Sequence, residues 1–365
     1  MDSIQPPQNL NPKTLLMKTR VLFFSIGLGL LAGSAEAQLQ RIVLQGGGAP
    51  QVFTSITDAI AAAQPNDKLY FSGGSFSAPG GILISTPLHF IGAGFHPDSA
   101  NVTASTTWTT SGSTYITITT AASGSTFTGI NFNPGSVVQY GTSIADDDPT
   151  AIVFQRCDFN KAVYLGAAEG ASSSSTFDEC IFRGGITGRA GIAVVTRCIF
   201  SGSGATINVF RPSGLFLKNS VVLGARLQNS ENSIVQNCVF TYNGAPLWQV
   251  SGVRISNCLI TGAGMFSNSS NSYESNNTYS QAANAIFVNE TNGVYDFNDD
   301  LHLSPASPGV GGGNDGTDIG LYGTHSPYKP GASPYNPHFQ QAAIAPSTNW
   351  NGALPVQIRT AAQTH

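Results

Sequence analysis

Arg211 and Arg226, together with Tyr164, Asn208 and Trp248, are the side chains of this 365-residue chain whose types best suit recognition of an extended carbohydrate. A guanidinium holds carboxylates or hydroxyls with a planar fork, and aromatic faces stack on sugar rings. Removing the proton next to a uronate carboxylate needs one cation or arginine to neutralise that carboxylate and a separate base to take the proton, and Arg211 and Arg226 are the candidates for the base. Glycoside hydrolysis needs two carboxylates at a set separation; the adjacent pair Asp299-Asp300 has no such partners in the sequence. A lyase therefore ranks above a hydrolase among catalytic readings. The alternative for the whole set is a row of exposed turn residues without a ligand. Asp146, Asp147 and Asp148 form the densest acidic run. They suit Ca²⁺ only if other oxygens complete about six to eight ligands; otherwise they make a solvated turn. His89, His96 and His302 have no matched base or nucleophile and are read as structural.

What would place these residues together is a repeat. Cys157, Cys180, Cys198, Ser220, Cys238, Cys258 and Thr278 follow one another at steps of 23, 18, 22, 18, 20 and 20 residues, each opening a short β-type run. A period near twenty with slightly variable length predicts a solenoid, each winding one supersecondary unit. Tyr164, Thr187, Asn208, Gln228 and Trp248 then fall on the strand that follows each cysteine position. Equivalent residues of successive windings lie about 4.8 Å apart, side by side. The Cβ vectors do not converge, the cysteine count is odd and Ser220 takes one position, which predicts a stack of reduced thiols in the core. Cys157–Cys180, Cys180–Cys198 and Cys238–Cys258 are the only sensible bridges.

The residue before each such position is Arg156, Glu179, Arg197, Asn219, Asn237, Asn257 or Asn277. Asparagine tolerates the left-handed backbone of a tight bend, so the last four are expected to form an amide ladder, and the first three a stacked surface ion pair of little energetic weight. Ahead of the repeat, Phe53, Ile56, Ala59, Ile60 and Ala63 fall at helical spacing. They predict a capping helix at about 53–64, started by Thr54 or Ser55, that covers the open end of the core. Strands are expected over 41–44, 69–71, 82–84, 88–91, 115–118 and 126–132.

Lys18 and Arg20, the apolar run Val21 to Leu31 and Ala35-Glu36-Ala37 read as a secretory signal over residues 1–37, with Met17 a candidate true start. The apolar run is too short to span a bilayer. Without residues 1–37 the chain carries 13 basic and 18 acidic residues, a formal charge of −5. That argues against nucleic acid and anionic membrane as partners. A secreted or cell-surface monomer is expected.

Phe53 to Ile60, Asn66 to Phe71 and Leu88 to Gly94 resemble the opening of right-handed parallel β-helix proteins of the pectate-lyase-like superfamily. Asp300 to Pro308 with Asp315 to Gly323 resembles the last turn of secreted members from Bacteroidetes-type bacteria. The resemblance covers roughly residues 50–325. It implies an all-β, right-handed parallel β-helix, here of about 9–11 turns, on a scaffold that carries lyases, hydrolases, epimerases and adhesins. The Asn-Thr-Asp, Asp-Asp and Gly-His-Gly set of its polygalacturonase-like hydrolases is absent, and Arg211-Pro212 is the only match to the arginine–proline pattern of its lyases. The expected function is to bind or process extracellular polysaccharide; the alternative is a non-catalytic adhesion or structural protein.

Ile181, Ile199, Val221, Val239 and Leu259 form an apolar stripe on what should be the solvent side. It is too large to leave bare. The proline-rich C-terminal tail, residues 326–365, can reach about 100 Å when extended, against roughly 50 Å for about ten windings. It is expected to wrap back over the stripe; the alternative is a dimer interface.

Overall fold

The computed structural model describes residues 40–96, 104–111, 114–133, 135–211, 214–329, 338–344, 347–348 and 351–361. The signal-like segment 1–37, Met17 and Pro212 lie outside the described residues. Each winding contributes one short strand to each of three sheets in turn. The first sheet has ten parallel strands, from Lys68–Phe71 to Tyr273–Ser275, preceded by the antiparallel strands Ile42–Gln45 and Gln51–Phe53. The second runs through nine strands from Gly74–Ala78 to Leu259–Ile260, and the third through nine from Ile82–Ile84 to Phe266–Ser267. The chain is thus a parallel β-helix of about nine turns, within the expected range.

At the start, Ser55 caps the helix Ile56–Ala62, its Oγ accepting from the Asp58 amide at 3.3 Å, and Ile56 and Ala59 are buried against the first windings. The strand expected over 126–132 divides into Thr126–Thr128 and Asn131–Phe132 on two sheets, because Gly129 turns the chain at φ 68°. The same left-handed bend recurs between first and second strands at Arg156, Glu179, Arg197, Asn219, Asn237, Asn257 and Asn276. In the last winding Leu259 pairs with Thr278, so Asn276 rather than Asn277 makes the bend, one residue earlier than the spacing predicted.

Inside the column, equivalent side chains pile up. Phe90, Phe127, Phe154 and Phe177 stack with centroids 4.7–5.1 Å apart, and Phe132, Phe159, Phe182 and Phe200 form a second pile. All five cysteines are free and fully buried, as the register predicted. Their stacking has a further physical reason. Each Sγ donates to the carbonyl two residues before it, and Cys198 and Cys258 accept from the backbone amides of Cys180 and Cys238 one winding earlier. Ser220 makes the same two bonds with its hydroxyl, and Asn277 accepts from the Cys258 amide at 3.0 Å. The position requires a small group that both gives and takes a hydrogen bond at the bend. Cys198→Ser should therefore fold normally. The five thiols should ignore a disulfide-forming reagent until the protein is denatured; fast labelling of the native protein would contradict a dry ladder.

The apolar stripe is covered, chiefly by residues upstream of the tail. The helix Ala283–Ile286 leads into an antiparallel pair, Phe287–Asn289 with Asp300–Leu303. Ile286, Phe287, Tyr295, Leu301, Ile319, Leu321 and Tyr328 then pack on Ile181, Ile199, Val221, Val239 and Leu259. Among the described residues of the 326–365 segment, Tyr328 joins this cluster. Further on, His338–Ile344 pairs with Val356–Ala361 as a hairpin of its own, and Leu354, Val356 and Ile358 are exposed. Although Asp300 to Pro308 with Asp315 to Gly323 resembles a last winding in sequence, this run supplies the aromatic and aliphatic residues that the stripe needs.

At the far end of the column the strand Tyr273–Ser275 is the sheet edge and is exposed throughout. Glu274 stands there in register with inward-facing Ile255, a carboxylate where earlier windings hold an aliphatic or aromatic side chain.

Candidate functional site

The third sheet gathers Tyr164, Asn208 and Trp248, with Thr187 and Gln228 of the windings between them. Gln139, Tyr164, Thr187, Asn208, Gln228 and Trp248 are paired in unbroken register, one per winding, on its outer side. Their strand partners Val138, Val163, Ile186, Ile207, Leu227 and Leu247 alternate inward and are buried, which locks the row to the outside. From Tyr164 to Trp248 is four inter-strand steps, about 19 Å.

The arginines flank this row on its two sides. Arg226, two residues ahead of Gln228, lies 4.9 Å from the Tyr242 ring centroid and 5.2 Å from that of Trp248. Arg189, two residues after Thr187, lies 5.1 Å from the Tyr164 ring and donates to the Gly166 carbonyl at 2.6 Å. Arg211 follows the third-sheet strand on the same flank as Arg189. Its Nε donates to the Asn229 carbonyl at 2.8 Å, and Glu231 stands 3.9 Å away. Asn229 in turn donates its amide to Asn208 Oδ1 at 3.0 Å. Tyr164 and Trp248 therefore each carry a stacked arginine at opposite ends of a polar row. Arg211 and Arg226 are separated by the width of a strand and do not converge.

Arg189, Tyr242 and Asn229 belong to this face and were not singled out by spacing. Arg189 and Asn229 sit at the left-handed bend that closes each third-sheet strand, with φ of 55° and 51°. Their signal was the residue one or two places after each row member.

The three aspartates do not converge either. Asp146 accepts from the Thr142 and Ser143 amides, buried Asp147 from the Ala167 and Ala168 amides, and Asp148 from the Ser172 amide. Hydrogen bonds hold the Asp146 carboxyl below its usual range. Each carboxylate ties down a different stretch of loop, so Asp146, Asp147 and Asp148 act as backbone caps. Among the described residues no three His, Cys, Asp or Glu side chains gather to hold a metal, and no helix is long and apolar enough to cross a membrane.

The bend between first and second sheets is buried where the sequence predicts a surface. Arg156 and Glu179 form an ion pair at 2.6 Å with both side chains buried, not at the surface. Arg197 binds Asp178 at 2.6 Å and donates to the Ser326 carbonyl. The cover lies over this bend and removes it from water. For the same reason the asparagines do not bond one another: Asn237 pairs with Asn314, and Asn257 donates to the Gly312 carbonyl, so they fasten the cover instead. His302 meets Asp300 at 2.6 Å, and Asp315 and Asp318 accept backbone amides, as structural residues should.

Asp158 is buried under the cover beside Arg183, whose Nε lies 3.1 Å from its Oδ1. Burial outweighs the arginine and raises its carboxyl from 3.8 to about 6. The folded state thus holds this proton more tightly than the unfolded chain. Its stabilising contribution is complete below pH 3.8 and is lost as pH rises to about 6, a swing of about 3 kcal/mol at 1.36 kcal/mol per unit. Asp158→Asn should remove that part of the slope when urea midpoints are compared from pH 4 to pH 7; parallel curves for both proteins would contradict it.

No protein-family model matches the chain, and no curated protein matches it. What the fold and the face define is a parallel β-solenoid with a polar, aromatic-ended row along its third sheet.

Proposed function

We propose that the protein is an exported polysaccharide-binding β-helix that holds an extended glycan along the third sheet without cleaving it. The observation that carries this reading is the unbroken register of Tyr164, Thr187, Asn208, Gln228 and Trp248, with Arg189 on the first ring and Arg226 on the last. A row about 19 Å long with one polar or aromatic group every ~4.8 Å matches a linear polymer better than a small solute. The sequence resemblance to pectate-lyase-like β-helices and the signal-like first 37 residues support the same reading. Binding is favoured over cleavage by the arginines themselves. Arg211 is engaged by Asn229 and Glu231, Arg226 lies over two rings, and the two stand on opposite flanks with no carboxylate pair between them.

Titration of the full chain with a panel of neutral and uronic-acid polysaccharides, read by Trp fluorescence and affinity electrophoresis, tests this. Removing an aromatic platform costs about 1 kcal/mol or more, so Trp248→Ala and Tyr164→Ala should each weaken binding about fivefold to tenfold. New unsaturated chain ends, followed by ultraviolet absorbance, should not form. Failure to bind any member of the panel, or binding indifferent to both substitutions, would sink the proposal.

A further inference from the structure

A concavity of about 540 Å³ lies on a different sheet from the glycan row, at the far end of the first sheet's outer face. Two outward rows build it. Ile234, Arg254 and Tyr273 are paired in register in one, and Gln236, Ser256 and Ser275 in the other. Ile255 and Glu274, also in the lining, alternate to the inner side. No side chain of Gln236, Arg254, Ser256 or Ser275 hydrogen-bonds or ion-pairs with another described residue. Arg254 lies 6.0 Å from the ring centroid of Tyr273, its neighbour in the row. That is the outer limit of a cation–π contact and leaves the N–H fork unused. The field here is positive although the chain is acidic overall. Lys218 continues the second row beside Gln236, and Asp178, two windings further back, is neutralised by Arg197 at 2.6 Å. Glu274 accepts from the Tyr279 hydroxyl, at the end of the column.

The lining selects by charge and by shape. A cation would meet Arg254 and Lys218. A carboxylate instead matches the planar fork of Arg254, two N–H groups to two oxygens. Ser256 stands two residues along the same strand, about 7 Å away, with Gln236 and Ser275 one winding to either side of it. That separation is the span of a benzene ring carrying polar groups at opposite ends. Half-buried Ile234 and the ring of Tyr273, which is 65% exposed, would take the flat body of such a ligand. A sugar acid fits less well, because ring hydroxyls turned toward Ile234 and Tyr273 would lose water without gaining a partner. We propose that this concavity binds a hydroxylated aromatic carboxylate. Its carboxylate lies on Arg254, its hydroxyl at Ser256 and Gln236, and its ring against Ile234 and Tyr273.

The probes are para-hydroxybenzoate, its neutral amide para-hydroxybenzamide, and glucuronate, titrated into the full-length protein and followed by saturation-transfer NMR. The benzoate should bind about tenfold more tightly than the amide, as a charge-assisted fork requires. Arg254→Gln should remove that preference, and Arg254→Lys, which keeps the charge and loses the fork, should restore only part of it. Tyr273→Leu should weaken both aromatic probes about threefold or more. Arg254 and Tyr273 are exposed, so the urea midpoints of these variants should stay with the parent and the comparison reads binding alone. Equal affinity for acid and amide, no binding at tens of millimolar, tighter binding of glucuronate, or indifference to Arg254→Gln would overturn the proposal. The test is independent of the glycan row, since Trp248→Ala should leave binding of the benzoate intact.

Discussion

Arg156→Met should destabilise the protein by about 3–5 kcal/mol, measured as a fall in urea midpoint at pH 7, because it leaves the Glu179 carboxylate buried without its counter-charge. Arg156 and Glu179 are 0% and 1% exposed, so water cannot take the arginine's place. Burial already raises the Glu179 carboxyl, and Arg197 at 3.9 Å is too far to replace a 2.6 Å partner. The double variant Arg156→Met/Glu179→Leu should recover most of the loss, since a buried ion pair exchanged for apolar groups of similar size is near neutral. The sign of the difference between single and double variants is the test. A single variant within about 1 kcal/mol of the parent would mean that solvent reaches the pair, contrary to its position under the cover.

Loss of the cover should have the second large effect. A chain ending at Ser280 exposes Ile181, Ile199, Val221, Val239 and Leu259, all fully buried in the intact protein. Each is worth about 1.5–3 kcal/mol on transfer from water, so the truncated chain should self-associate and sediment as oligomers. Ile199→Asp in the full chain makes the same point without truncation. A carboxylate at this position would be buried in the apolar cluster that holds the cover, so the segment 283–329 should become sensitive to protease while the aromatic piles of the core persist. A truncated chain that stays monomeric and melts as the parent does would show that the stripe needs no cover.

Much of this architecture was written into residue spacing. The cysteine register and the outer row from Tyr164 to Trp248 both follow from one winding per twenty residues, because a parallel sheet repeats whatever the period repeats. The apolar stripe was legible for the same reason, and so was its need for a partner. Which segment supplies that partner was not. Residues 283–328 carry no period of their own, and Tyr295, Leu321 and Tyr328 acquire meaning only from the surface they meet. That contact also explains why Arg156, Glu179, Asn237 and Asn257 differ from their sequence expectation: a bend residue is exposed or buried according to what lies over it, and distant sequence decides that. Asp146 to Asp148 were opaque in another way, since three neighbouring carboxylates on a turn point to three different sets of amides. Arg189 and Tyr242 were missed because they enter the third-sheet face from bends, where strand register no longer fixes position.

Glu274 has a consequence for how copies of this molecule meet. A column that adds strands along its own axis has an end that can template another, and two such columns set end to end would grow into a filament. The antiparallel strands and short helix close one end of this one. At the other, abutment would press Glu274 between apolar layers without a counter-ion, at a cost of several kcal/mol. Replacing that single carboxylate by isoleucine would leave the edge sticky and flat, and fibre growth is the penalty this acidic terminus avoids.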